Sequence, residues 1–236
     1  MPAQITQLID RLDNVERVRD QIAAILLVEQ ANQQALATTA GKDPEQWRLR
    51  IFSERSNPWE VFRDIDDKDF DPAPIVNVAF DNESFDMSTG NTVERQKVTA
   101  TFNVDCYAQG ISTDDPTGLG HSAGDENAAR EVQRAARLVR SILMAGAYTY
   151  LGFPRNPGAV VWRRWVQSIT IFQPRLGDQP IEHVLAARVA LQVEFNEFSP
   201  QVEGQLLELV SASVTRADTG ELVLLTADYP IPFSGD

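Results

Sequence analysis

Cys106, His121 and His183 are the only residues from which a thiol or imidazole site could be assembled in this chain of 236 residues. A nucleophilic thiolate needs exposure and a cationic or imidazole neighbour. Cys106 instead falls on the apolar side of an alternating run, beside Asp105, where a small buried hydrophobe is expected. The two histidines are far apart, and with no paired cysteines and no HExxH spacing they give no metal signature. Asp67, Asp69 and Asp71 open like a calcium loop, but its sixth position is Pro72 rather than glycine and its twelfth is Val78 rather than a bidentate glutamate. Gly118, Gly120 and Gly124 lie between a strand and a helix, as in a phosphate cradle. The loop is too long for that role, the glycine spacing is wrong, and no Lys-Ser/Thr pair follows. Glu194 and Glu197 alternate with apolar residues and are expected on a solvated sheet face. The expectation is a protein that is not an enzyme, with no catalytic residue, no cofactor and no metal, whose function resides in its surfaces.

The elements that would position such groups are clearest between Lys97 and Phe198, which reads as strand, helix, strand, strand. In Lys97–Tyr107, Val98, Ala100, Phe102, Val104 and Cys106 share one face, with Thr99, Thr101, Asn103 and Asp105 on the other. The helix expected from Gly124 to Met144 places Ala128, Val132, Ala135, Val139 and Ile142 at helical spacing. Asp125 is its expected cap, and Arg137 and Arg140 complement its negative end. Val161–Pro174 then alternates, with Trp165, Ile169 and Ile171 on one face. His183–Phe198 returns as a hairpin partner, setting Ala187, Val189, Leu191, Val193 and Phe195 against Arg188, Gln192, Glu194 and Asn196.

Upstream, Pro74–Asp86 pairs with the Lys97 strand as a long hairpin, and Trp47, Leu49 and Ile51 alternate in a short strand. Ile5 to Ala37 carries apolar residues at three- and four-residue intervals, as one amphipathic helix or two, with Asn14 capping the second. Gln109–Gly124 reads as an exposed loop. Beyond Pro200, Leu206–Val214 and Leu222–Leu225 flank Asp218-Thr219-Gly220 as a C-terminal hairpin. The fold class is therefore α+β: a mixed, mainly antiparallel sheet covered by an amphipathic helix, with a long N-terminal helix and a C-terminal β-hairpin extension. Residues 1–42, 43–200 and 201–236 form the successive segments.

Composition narrows the partners. No apolar run approaches the roughly 20 residues that span a bilayer, and the N-terminus lacks the pattern of a signal peptide, so a soluble protein made in a cytoplasm and free of membrane is expected. A net charge of −13 opposes tight binding of a phosphate backbone, but suits a surface past which DNA slides. Arg48 and Arg50 are expected to face outward or toward a partner. Trp162 and Trp165 flank Arg163-Arg164, a composition favoured at protein contacts and equally compatible with a strand that buries one face.

The order of these pieces resembles a known family. A hairpin ending in DCYAQG at Asp105–Gly110 is followed by the helix GDENAAREVQRAARLVRSILM, a strand ending in FQP and a strand reading ARVALQVEFNEFSP. Over roughly residues 74–200 this resembles the tail-terminator or tail-completion proteins of tailed bacteriophages. The resemblance implies a homo-oligomeric ring, usually a hexamer, assembled in the host cytoplasm and placed in the virion at the neck or gateway. It ends polymerisation of the tail tube and, in a contractile tail, of the sheath, and it meets the collar or connector protein while DNA passes through its lumen. A head-tail connector, stopper or collar subunit is the alternative within that class; a small hydrolase or a host-binding module is the alternative outside it.

Overall fold

In the computed structural model the described residues are 8–9, 11–63, 71–87, 95–110, 112–114, 121–154, 160–176, 179–180, 183–198, 210–215 and 222–227. Helix α1 spans Asn14–Thr39, and its cap is Asp13, whose carboxylate accepts the Glu16 N–H at 2.9 Å. The expected cap, Asn14, is the first helical residue instead. It is buried, and its side-chain amide donates to the Asn196 carbonyl at 2.7 Å. Leu8, Ile9 and Leu12 precede the helix and are exposed.

Strand β1 (Arg50–Ser53) is shorter than its alternation suggests, because Asp43 and Pro44 start a 3-10 turn that runs to Trp47. A second 3-10 turn, Pro58–Arg63, leads to β2 (Ile75–Phe85), which pairs in parallel with β1. Strand β3 (Arg95–Gln109) returns antiparallel to β2, with a bulge at Asp81. The segment beyond β3 forms a two-residue ladder, β4 (Thr113–Asp114) with β5 (His121–Ser122), before α2 (Gly124–Leu143). Asp125 lies within α2, whose cap position is Ala123, and accepts the Glu126 N–H at 2.9 Å; the Ser112 hydroxyl accepts the Gly124 N–H at 3.1 Å. That geometry needs glycine at 110, where a Cβ would stand 1.8 Å from the Gly124 carbonyl oxygen.

Strand β6 (Val161–Phe172) follows, then the small ladder β7 (Arg175–Leu176) with β8 (Gln179–Pro180), and β9 (Val184–Phe198). The main sheet has the order β1-β2-β3-β9-β6, antiparallel except at β1. Residues 201–236 form a compact unit of their own, in which β10 (Val210–Thr215) and β11 (Leu222–Ala227) pair antiparallel as the expected hairpin. Asp218, Thr219 and Gly220 lie outside the described residues.

Both helices cover the same sheet face. Val18, Ile22 and Leu26 of α1 and Val132, Val139 and Leu143 of α2 pack on Val98, Phe102, Val104, Cys106, Val189, Leu191 and Phe195. Phe102 is at the centre, opposite Phe80 and Leu191 in the two ladders and inaccessible to solvent. Replacing it should open a cavity that α1 and α2 can close only in part. Phe102→Ala is expected to destabilise the fold by about 3–5 kcal/mol, read as a lower urea midpoint at unchanged slope.

Candidate functional site

The helix-free face of the main sheet is organised in cross-strand rows. At one end Ile75, Tyr107, Ala186 and Phe172 form an apolar row roofed by the second 3-10 turn, where Trp59 lies 5.3 Å from Tyr107. The next row is polar: Asn77, Asp105, Arg188 and Thr170. Asp105 and Asn103, on the polar side of β3, are buried despite having no helix above them. Both are hydrogen-bonded within the sheet. Arg188 holds Asp105 by two bonds of 2.8 Å and lies over the Phe172 ring, Tyr107 O–H donates to the same carboxylate, and Asn103 donates to Asp81 at 2.8 Å. Burial beside Asp105 pushes the Tyr107 phenol well above its usual pKa. At the far end Arg163 grips Glu194 through bonds of 2.8 and 2.7 Å and stacks 5.1 Å from Trp165, while Lys97 approaches Glu194 at 3.1 Å. The Arg163 and Lys97 hydrogen bonds hold the Glu194 carboxyl below the usual range against a smaller burial penalty.

Neither Glu194 nor Glu197 is a solvated side chain. Three residues apart on a strand, they point to opposite faces. Glu194 is buried in the ion-pair row, and Glu197 lies under the start of α1, accepting the Asn14 N–H at 2.9 Å. Burial pushes the Glu197 carboxyl up to about 7, outweighing the N–H donors of Asn14 and Val15, with the charges of Asp13 and Glu83 adding to the rise. Glu83, on the same face, is also raised by burial, and its Oε2 is enclosed without a hydrogen-bond partner among the described residues.

The six expected contact residues separate into two groups at opposite edges of the sheet. Beside β1, Arg48 is half exposed and bonds Asp71 at 2.8 Å and Glu45 at 3.2 Å. It also lines a surface cleft of about 540 Å³ with Trp47, Pro74, Glu131 and Arg134. Arg50 does not face outward: it lies 5.1 Å over Phe62 and donates to the Ala73 carbonyl at 3.2 Å. Burial lowers its pKa against the opposing pull of Asp71. On β6, two bulges re-aim the side chains. Val161 and Arg163 stand opposite the adjacent residues Phe195 and Glu194, which leaves Trp162 as the extra residue and 51% exposed. Arg163 and Trp165 share the helix-free face. Arg164 turns to the other face, where it donates to the Ala145 carbonyl just beyond α2 at 2.7 Å and burial lowers its pKa.

A second bulge, at Gln167, separates Trp165 from Ile169 and Ile171, which alternation alone puts together. Trp165 stands opposite Gln192, whereas Ile169 and Ile171 stand opposite Val189 and Ala187 on the helix face. They are nevertheless 45% and 50% exposed. The exposure follows from α2 packing over β3 and β9 rather than over β6.

Cys106 is buried on the helix face, its thiol pushed far up by burial, and stands opposite Ala187, whereas His183 lies in the turn before β9. Among the described residues no three His, Cys, Asp or Glu side chains gather as metal ligands, and no helix is long and apolar enough to cross a membrane. Asp67, Asp69, Gly118 and Gly120 lie outside the described residues. No model of a known protein family matches the chain, and no curated protein matches it.

Two predictions follow from the buried charges. Arg188→Ala strands the buried Asp105 carboxylate, whereas Asp105→Ala leaves a guanidinium that water already reaches. Chemical denaturation should therefore show the larger loss, about 3–5 kcal/mol, for Arg188→Ala. Glu197 holds a proton in the folded state up to about pH 7 that the unfolded chain releases near ~4.3. Its contribution to stability is thus complete at low pH, declines as pH rises across that interval and is gone above it. The melting temperature should be higher at pH 5 than at pH 8, and Glu197→Gln should flatten that difference while keeping an acceptor for Asn14.

Proposed function

We propose that this chain is a structural virion subunit of a tailed bacteriophage. It forms a ring at the head-proximal end of the tail, where it ends tube and sheath polymerisation and joins the tail to the neck. The observation that carries the reading is the sheet with two unlike edges. The short parallel β1, preceded by Arg48 in its pair with Asp71, stands at one edge, and the long β6, exposed from Gln167 to Ile171, at the other. Copies that join through unlike patches generate a closed ring when the rotation between them closes. The order strand, helix, strand, strand between β3 and β9 is that of the tail-terminator resemblance. The acidic balance supports a lumen through which DNA passes without adhering.

Mass photometry and negative-stain images of the purified chain, alone and with polymerising tail tubes, test this. A ring that caps tubes and halts their growth is the expected result, and a monomer that leaves growth unchanged overturns it. Binding to portal-bearing capsids in place of tubes would assign the chain to the connector instead.

A further inference from the structure

Strand β6 is protected unevenly. Its first half carries two bulges and two arginines, the devices by which proteins keep an open strand from recruiting another chain. Its second half has neither. Ser168, Ile169, Thr170 and Ile171 are all exposed, contain no charge or proline, and among the described residues pair only with β9. A stretch of high strand propensity whose second edge has no strand partner among the described residues, with two half-exposed isoleucines, is a template for strand addition.

The chain also carries a segment with the opposite requirement. β10 and β11 hold no charged residue, and their register pairs Val210 with Ala227, Ala212 with Leu225 and Val214 with Val223. A hairpin of two strands is marginal in water until a third strand or an apolar surface supports it. Residues 201–236 form their own unit, whose described residues are those of that two-stranded ladder.

We infer that the Ser168–Ile171 edge of β6 accepts the β10–β11 hairpin of a second copy, adding its strands to the five-stranded sheet. The inference rests on the ring reading, because a donated hairpin and a receiving edge are unlike patches that pass contact from each copy to the next. Strand addition supplies the hairpin with a third strand and covers Ile169 and Ile171 with apolar residues.

The native cysteine is buried, so introduced thiols report cleanly. Full-length Thr170→Cys/Ser213→Cys and Thr170→Cys/Leu224→Cys variants, treated with a short bis-maleimide, should give a ladder of covalent dimers and higher species in at least one case. Each single-cysteine variant should give none. Cross-links confined within one chain, or no cross-link in either variant, overturn the inference. Ile169→Glu/Ile171→Glu alters only exposed positions and should keep its circular dichroism while raising the concentration needed for ring assembly at least tenfold; assembly at the wild-type concentration overturns the proposal. Rings that cap tubes without the ladder sink this inference and leave the ring reading standing, whereas a monomer that never caps sinks both.

Discussion

The helix layer lies on one face of the sheet, over β1, β2, β3 and β9, and much of the remaining structure answers to that asymmetry. Where helices lie above, β3 and β9 present unbroken columns of Val, Phe, Leu and Ala that water does not reach. Burial of this apolar surface, at roughly 25 cal/mol per Å², is the main favourable term available to the fold. On the reverse face, among the described residues only the end roofed by Trp59 and Phe62 has an apolar cover, and the central strands close that surface with their own side chains.

They do so with paired charges. Asp105–Arg188 and Glu194–Arg163 are bidentate, with the carboxylate buried and the guanidinium lying across it toward water and an aromatic ring. Such pairs add little net stability, since desolvation of the carboxylate offsets much of the attraction. Their effect is on register. A slip by one residue between β3 and β9 would move Asp105 to the apolar face and separate it from Arg188, so the pairs penalise every alternative alignment. The Glu194 pair does the same between β9 and β6, across a bulge where alternation alone would not fix the partner.

The same asymmetry leaves β6 half clothed. Val161 and Val166 reach the core, Arg164 reaches the carbonyl just beyond α2, and among the described residues neither α1 nor α2 covers the strand beyond Gln167. Side chains of core type at the surface of an edge strand are a cost to an isolated subunit and an asset to one that joins others. The Glu197 and Glu83 carboxyls sit at the opposite limit of the α1 interface, where burial favours their neutral form.

Much of the fold was legible because local period and burial agree. The alternation of Val98–Cys106 and Ala187–Phe195 and the helical spacing of Ala128–Ile142 each name a core face, and the order of elements follows from the turns between them. Positions that depend on a partner far along the chain were not legible. Asn14 and Asp13 are both good caps, and burial against Asn196 decided between them. Asp105 and Glu194 look solvated until β9 and β6 bring arginines to them. Trp165, Ile169 and Ile171 share a face in any regular strand and are parted by a bulge whose extra residue is visible only in the ladder with β9. The sequence by itself determined the α+β class, the buried thiol and the apolar faces, since these depend on periodicity within a few residues. The tertiary structure alone decided which polar groups are buried, which arginines are held and which edge stays open, because each depends on how far a helix laid over one face extends across its strands.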